Sequence, residues 1–437
     1  MARTNVASKA STVETFEGAL ARKPTSKDEL TRIALTAMLW EDSFYEKGSK
    51  TAERLQAAVH SCSAEDVAAI AIRSREEFKL RHVPLFLARE LCCHKDRSGA
   101  SALIERVIQR ADELAEFVSL YCKDGRQPLS AQAKKGLARA FRKFDAYQLA
   151  KYNRDNAVKL RDVLFLCHAK PRDEEQAATW KKLVDKTLES PDTWEVELSK
   201  GGDKKESWTR LLSEKKLGAM ALLRNLRNMT QAGVDGSHIG LALHDANFRR
   251  VLPFRFIAAA RENPALEPLL EEPMLRAAEG FEKLLGATAL LIDVSGSMNE
   301  ALSGKSTMKR MDAACGLAIL ARELCESVRV FAFSQSIAEV PPRRGFALRD
   351  AIVGSMPHST TYLWAAVQFL EQNIAFDRLI VITDEQSHDR VPQPGKGRGY
   401  LMNVASYDRT VDVGGWTTIS GFSEAALQYI RVIENER

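Results

Sequence analysis

Asp293, Ser295 and Ser297 stand in one short loop, Asp293-Val294-Ser295-Gly296-Ser297, directly after the apolar run Leu290-Leu291-Ile292. An apolar strand running into such a turn presents one carboxylate and two hydroxyls at the carboxyl end of a strand, where open α/β sheets keep their ligand crevices. Hard oxygen donors of low total charge suit Mg2+, which takes few protein ligands and keeps waters that a partner's acidic group can replace. The loop therefore reads as half of a divalent-cation site. The other half must come from later loops on the same sheet edge, and the chain offers candidates in order. Thr360 and Thr361 precede the helical run 362–373, and Asp384 follows the strand Arg378-Leu379-Ile380-Val381-Ile382-Thr383.

Other chemistries fit less well. Ser295, Gly296 and Ser297 could simply cap a helix, since Ser is favoured at N-caps and Gly in tight turns. A cap, however, does not call for Asp384 at a second strand end. A catalytic serine is disfavoured because the loop lacks a Gly-x-Ser-x-Gly elbow and no His with a matching partner is evident. A metal-dependent phosphoesterase is disfavoured because two-metal hydrolysis needs more carboxylates than two Asp among neutral hydroxyls. Gly304-Lys305-Ser306 imitates the end of a phosphate-binding loop, but Asn299 stands where its first Gly should be. An Asp, two Ser, a Thr and a distant Asp on three strand-end loops make up the metal-ion-dependent adhesion site of von Willebrand factor A domains, which residues 286–437 resemble. That resemblance assigns Asp293, Ser295, Ser297, Thr360 and Asp384 as the ligand set for Mg2+ or another divalent cation, with Thr361 as the fallback for Thr360. Threonine at 361, where many relatives carry Asp, removes a negative charge near the ion and should weaken binding.

Such a site needs a sheet to hold it, and the pattern supplies one only in the last third of the chain. From residue 287 strands and helices alternate: strand 287–293, helix 306–326, strand 328–334, helix 361–373, strands 378–383 and 400–405, and a last helix near 422–434. Alternation of this kind implies a mostly parallel, Rossmann-like sheet covered by helices. Before about residue 285 apolar residues instead recur at three and four, so helix follows helix from 29–46 through 253–262. Many short helices suggest a HEAT-like α-solenoid rather than one bundle. The expected domains are 1–273, all helical, and 274–437, α/β, with the boundary where Pro264, Pro268 and Pro273 interrupt the helical pattern.

Composition constrains the surroundings. A chain of 437 residues, 45% hydrophobic and 28% charged, has an ordinary globular balance and can bury large cores in two or three domains. No stretch approaches the roughly 18 apolar residues of a membrane span, and the polar start has no signal-peptide core, so a cytoplasmic protein with no membrane contact is expected. Seven cysteines without paired spacing read mostly as small core residues, with neither a disulfide framework nor zinc expected.

Charge is unevenly spread: 48 basic against 41 acidic residues up to 286, then 15 against 17. Between Lys123 and Lys170 the count is 12 basic against 4 acidic, the footprint of a polyanion partner. Its centre is a helix that begins after Ser130. Leu137, Ala140, Phe141 and Phe144 share one side and Lys135, Arg139, Arg142 and Lys143 the other, with no acidic i, i+4 partner on the basic stripe. Lys151, Tyr152, Asn153, Arg154, Lys159, Arg161, His168 and Lys170 extend the positive region. Lys and Arg neutralise phosphates, while aromatic and guanidinium planes stack unpaired bases. A solvated helix face remains the alternative. His168 ends the apolar run Val163-Leu164-Phe165-Leu166-Cys167, and on that basis alone reads as a satisfied core residue.

Several phrases of the helical part resemble the Ro autoantigen family, whose helical part is the TROVE domain. They are Ala37-Met38-Leu39-Trp40-Glu41-Asp42-Ser43-Phe44-Tyr45, Leu80-Arg81-His82-Val83-Pro84-Leu85-Phe86, Tyr147-Gln148-Leu149-Ala150-Lys151-Tyr152, and Leu160-Arg161-Asp162-Val163-Leu164 leading to His168-Ala169-Lys170-Pro171. The resemblance implies a monomeric ring of helical repeats closed by the adhesion-type domain and acting as a non-enzymatic ribonucleoprotein scaffold. It implies small noncoding Y or Y-like RNA on a basic outer face, with Lys151, Arg154 and His168 among the contacts. It further implies single-stranded 3′ ends of misfolded RNA in the central hole, and leaves room for an exoribonuclease partner. A reading of another class makes the chain a Mg2+-dependent protein-docking scaffold without RNA.

Overall fold

The computed structural model describes residues 12–14, 20–22, 25–36, 48–249, 251–279, 281–302, 307–360, 362–384, 395–405, 416–420 and 425–435. The motif at 37–45, Gly304, Lys305, Ser306 and Thr361 lie outside the described residues. The chain divides into two compact units, one of residues 53–217 and 229–238, the other of 1–52, 218–228 and 239–437.

The first unit is helical. Segments 100–121 and 131–152, each a single helix by apolar periodicity, are each split in two by local signals that outweigh it. Asp145 accepts from Gln148 N at 2.7 Å while the Gln148 side chain accepts from Asp145 N at 3.1 Å, so a capping box starts the helix Ala146–Tyr152 afresh after Ala131–Phe141. Ala131–Phe141 is itself capped by Ser130, whose Oγ accepts from Ala133 N at 3.2 Å. This helix packs on Ala100–Val107 and on Leu160–Cys167. Leu137, Ala140, Phe141 and Phe144 are all buried, as their shared side requires.

Gly136 permits that packing. A Cβ there would fall 2.7 Å from Ile104 Cβ and 2.8 Å from the Ser101 carbonyl oxygen, backbone that cannot swing away. Overpacking of this kind costs about 1–3 kcal/mol, more than the few tenths of a kcal/mol, roughly, that valine gains over glycine in helix propensity. Gly136→Val is therefore expected to lower the urea midpoint of the helical unit clearly; an unchanged midpoint would mean that the two helices separate freely.

The second unit is built on a six-stranded sheet. With β1 (Thr12–Glu14) and β2 (Leu20–Arg22) forming a separate antiparallel pair, its strands are β3 (Leu284–Asp293), β4 (Cys325–Phe333), β5 (Ile337–Val340), β6 (Arg378–Thr383), β7 (Arg398–Asn403) and β8 (Trp416–Ser420). Their order is β5-β4-β3-β6-β7-β8, parallel throughout except for the β4–β5 pair. Every residue of β6 is buried, as expected of a central strand covered on both faces. Leu363, Ala366, Val367 and Leu370 of the helix Leu363–Asn373 join Leu291, Phe331, Val381 and Trp416 in one core. The helix Arg310–Leu324 packs against β3 and β4.

Two short strands, β5 and β8, and the helix Gly345–Val353 are absent from the alternation read in the sequence. The prolines expected to mark a boundary sit inside helical structure. Pro268 occupies the first turn of Glu267–Ala277, where its missing N–H is not needed, and Pro273 lies within that helix. Pro253–Glu262 packs on Arg310–Leu324, and Glu267–Ala277 on Gly345–Val353, fastened by an Arg349–Glu267 ion pair at 2.8 Å. Compactness thus places residues 239–273 with the sheet. Among the described residues no helix is long and apolar enough to cross a membrane. Cys62, Cys92, Cys167, Cys315 and Cys325 are buried as core residues, Cys93 is exposed, and none of the seven is in a disulfide.

Candidate functional site

The strand order explains where the oxygen donors gather. From β3 the chain moves outward through β4 and β5, then crosses back to β6 and proceeds the other way, so the carboxyl ends of β3 and β6 flank the crevice of a topological switch point. Asp293 ends β3, and Asp384 immediately follows β6. Both are fully buried, and Ser295 nearly so.

Local bonds hold the set in place. Asp293 accepts from Ser295 N at 2.8 Å and from the Thr383 hydroxyl at 2.7 Å, while the Ser295 and Ser297 hydroxyls lie 3.2 Å apart. One nitrogen of Arg310, Nη1, lies 2.7 Å from an Asp384 oxygen and 3.4 Å from the Ser297 carbonyl, which puts Asp384 beside the Ser295–Ser297 turn. The third loop is drawn in by its backbone. Gly296 N donates to Ser359 O at 3.1 Å, and Ser334, at the end of β4, accepts from Ser359 N at 3.0 Å and donates to Thr360 O at 3.2 Å. His358 Nδ1 meets Asn299 Nδ2 at 3.0 Å and its Nε2 meets Val353 O at 3.0 Å, an arrangement that calls for the Nε2–H tautomer.

Burial pushes the Asp293 carboxyl up to about 6, against the pull of its hydrogen bonds from Ser295 and Thr383 and with help from the Asp384 charge. An ionised Asp293 is thus short of compensating positive charge, which a cation would supply. The donor set, two carboxylates with neutral hydroxyls, fits Mg2+. Asp293, Ser295, Ser297 and Asp384 are gathered at one edge, with the Thr360 backbone tied to it. Sequence reasoning missed Thr383, Ser334 and Arg310. A hydroxyl residue at or just after the end of an apolar strand was the available signal for the first two; nothing local marks the third.

The basic residues all belong to the helical unit, and packing engages the charged ends of some of them. Lys135, Arg139, Arg154, His168 and Lys170 are exposed. The Lys143 ammonium instead donates to the carbonyls of Glu105 and Ile108 at the end of Ala100–Val107, and desolvation holds it below the usual lysine range. Arg142 Nε donates to Lys170 O at 2.8 Å, and Gln176 Nε2 donates to Arg142 O at 3.0 Å, joining the ends of three helices. The acidic partner missing from the basic stripe comes from another helix, Glu105, 3.7 Å from Arg139. Lys151 lies 5.7 Å from the Tyr147 ring centre and 5.8 Å from that of Tyr152, and Arg110, missed by the sequence reading, lies 4.9 Å over Tyr152.

His168 is exposed, not a core residue. It ends Leu160–Cys167 in the left-handed region, φ 51°, so the helix stops there and its ring leaves the core. Only Val163, Leu164 and Cys167 of the preceding apolar run are buried; Phe165 is 60% and Leu166 43% exposed.

Comparison with known proteins bears on this geometry. The TROVE domain family model matches residues 185–270. The telomerase protein component 1 of Mus musculus is 39% identical over 89 residues, 19% of this chain and 3% of that protein. The telomerase protein component 1 of Rattus norvegicus is 38% identical over the same length with the same coverage. The chain thus spans about 3% of the length of the curated relatives it matches. The crystal structure of the Deinococcus radiodurans RO (RSR) protein superposes with a TM-score of 0.66 at 17% identity, covering 93% of this chain and 99% of that one.

Residues 185–270 match the TROVE domain, and the chain shares its fold with the Deinococcus radiodurans RO protein. The domain match at 185–270 agrees with the resemblance to the Ro family, and the Ro structure agrees with the expected fold. The matched TROVE residues begin after Lys170, so the basic positions lie upstream of them in the same chain.

Proposed function

We propose that this chain is a non-catalytic RNA-binding protein, a ring closed by an adhesion-type domain that serves as a cytoplasmic ribonucleoprotein scaffold in RNA quality control. The observation that carries the reading is the exposure of Lys135, Arg139, Arg154 and Lys170 in one helical unit that also holds the Lys151–Tyr147, Lys151–Tyr152 and Arg110–Tyr152 contacts. Cations neutralise phosphates, and exposed ring faces take unpaired bases, the combination that single-stranded RNA and its loops require. Y-like RNA on this face and single-stranded 3′ ends in a central hole are the ligands proposed, with an exoribonuclease as a further partner. His168, exposed beside Lys170, adds a ring that can stack or hydrogen-bond a base.

Purification from cells tests the reading directly. RNA should accompany the full chain, leave on nuclease treatment or in high salt, and prove on sequencing to be small structured RNA. Protein free of RNA at low salt would refute the proposal.

The second proposal concerns the cation site. Asp293, Ser295, Ser297 and Asp384, with Thr360, would hold Mg2+, and the bound ion would offer an open coordination position to a partner's carboxylate. What favours it is the convergence of two buried carboxylates and two hydroxyls at the switch point of the sheet. The chain's own contribution is to orient those oxygens: Thr383 and Ser295 N fix Asp293, and Ser334 fixes the loop that carries Thr360. A Mg2+-dependent protein partner bound without RNA would favour this docking role as the main one.

A further inference from the structure

Arg310, the first residue of the helix Arg310–Leu324, is fully buried against the candidate cation site. Its Nη1 lies 2.7 Å from Asp384 and its Nη2 2.9 Å from Glu300, a carboxylate that is 53% exposed. The guanidinium therefore spans one buried anion inside the site and one solvated anion at its rim. Two buried carboxylates close together repel each other, and a buried carboxylate needs a paired charge. Arg310 supplies that charge to Asp384, so the site carries a cation of its own.

We propose that Arg310 is an affinity-setting positioning residue: it competes with a divalent cation for Asp384, and Glu300 retains the guanidinium when Asp384 turns to the metal. This rests on the reading of Asp293, Ser295, Ser297 and Asp384 as a cation site. A fixed positive charge beside a divalent ion opposes its entry and leaves the pair of carboxylates with one net negative charge to offer it. Glu300 acts in the opposite sense, since an arginine with a second partner gives up the first more readily. A merely structural arginine would lower metal affinity when lost, by disordering the loop. One that competes with the metal raises the affinity when removed.

Titration of Mn2+ into the full chain, read by the free-ion electron paramagnetic resonance signal, separates these outcomes. Arg310→Met is expected to bind Mn2+ at least ~10-fold more tightly than the unaltered chain, since each tenfold corresponds to only about 1.4 kcal/mol. Glu300→Gln should bind several-fold more weakly, and Asp293→Ala should not bind. Equal or weaker binding by Arg310→Met, with Asp293→Ala still inactive, would overturn the role of Arg310 and leave the cation site standing. No binding by any variant or by the unaltered chain would overturn the cation-site reading and this inference with it. Should Arg310→Met fail to fold, Glu300→Gln decides alone. Its carboxylate is half exposed, so the variant keeps the fold, and affinity equal to that of the unaltered chain would sink the proposal.

Discussion

Replacing Lys135, Arg139, Arg154 and Lys170 together by alanine is expected to lower affinity for single-stranded RNA by roughly two orders of magnitude at 0.15 M salt while leaving the fold intact. Each phosphate contact to a single strand contributes about 0.7 to the slope of log affinity against log salt, so the slope should also flatten by about 3. All four side chains are exposed, and the one ion pair among them with a described residue, Arg139 with Glu105, is a 3.7 Å surface contact worth little to stability. Filter binding across a salt series, with circular dichroism as the control for folding, measures both numbers. Unchanged affinity and slope would remove these cations from the interface.

Lys143 and Arg142 are kept out of that variant for a physical reason. Lys143 caps the carbonyls of Glu105 and Ile108, where helix ends leave acceptors unpaired, so its loss would weaken the packing of two helices and confound any effect on RNA. Arg142 ties the end of its own helix to Lys170 O, and its removal would loosen the surface being tested. Lys143→Ala alone should therefore depress the unfolding midpoint more than it depresses RNA affinity.

Asp293→Ala is expected to abolish binding of Mg2+ and Mn2+. Asp293 is one of two carboxylates in the set and is held by Ser295 N and Thr383 at the end of a central strand, so nothing nearby can replace it. In the unaltered chain the same residue gives binding a pH dependence. With its carboxyl raised to about 6 by burial, protons compete with the cation in the mildly acidic range. The carboxylate form is required, so affinity should be level above that value and fall about tenfold for each pH unit below it. Isothermal titration between pH 5 and pH 8 checks the sign. Affinity that rises on acidification, or full binding by Asp293→Ala, would show that the cation sits elsewhere.

How much of this could be read without coordinates varied from site to site. The Asp293–Ser297 loop and Asp384 were legible because strand ends are marked locally, by an apolar run that stops at polar residues, and a parallel sheet brings such ends to one edge. The shared side of Leu137, Ala140, Phe141 and Phe144 was legible for a similar reason, since helical periodicity depends only on neighbours a few residues away. The helix breaks at 108–111 and 142–145 were missed, although Asp145 and Gln148 form a capping box at a spacing that could have been recognised. Apolar patterning alone sends His168 to the core, whereas a left-handed helix end turns the chain outward just where the apolar run appears to continue.

By itself the sequence determined the division into a helical part and a strand–helix alternation, the buried side of the helix at 131–141 and the oxygen donors at two strand ends. These follow from periods of two and 3.6 and from turn chemistry, all of which act over short stretches of chain. Tertiary structure alone decided which charges are free. Lys143 finds its carbonyls 35 and 38 residues away, and Arg310 finds Asp384 74 residues away, because packing brings together groups that no local spacing relates. A side chain's charge is written in the sequence; its availability depends on what the fold sets against it.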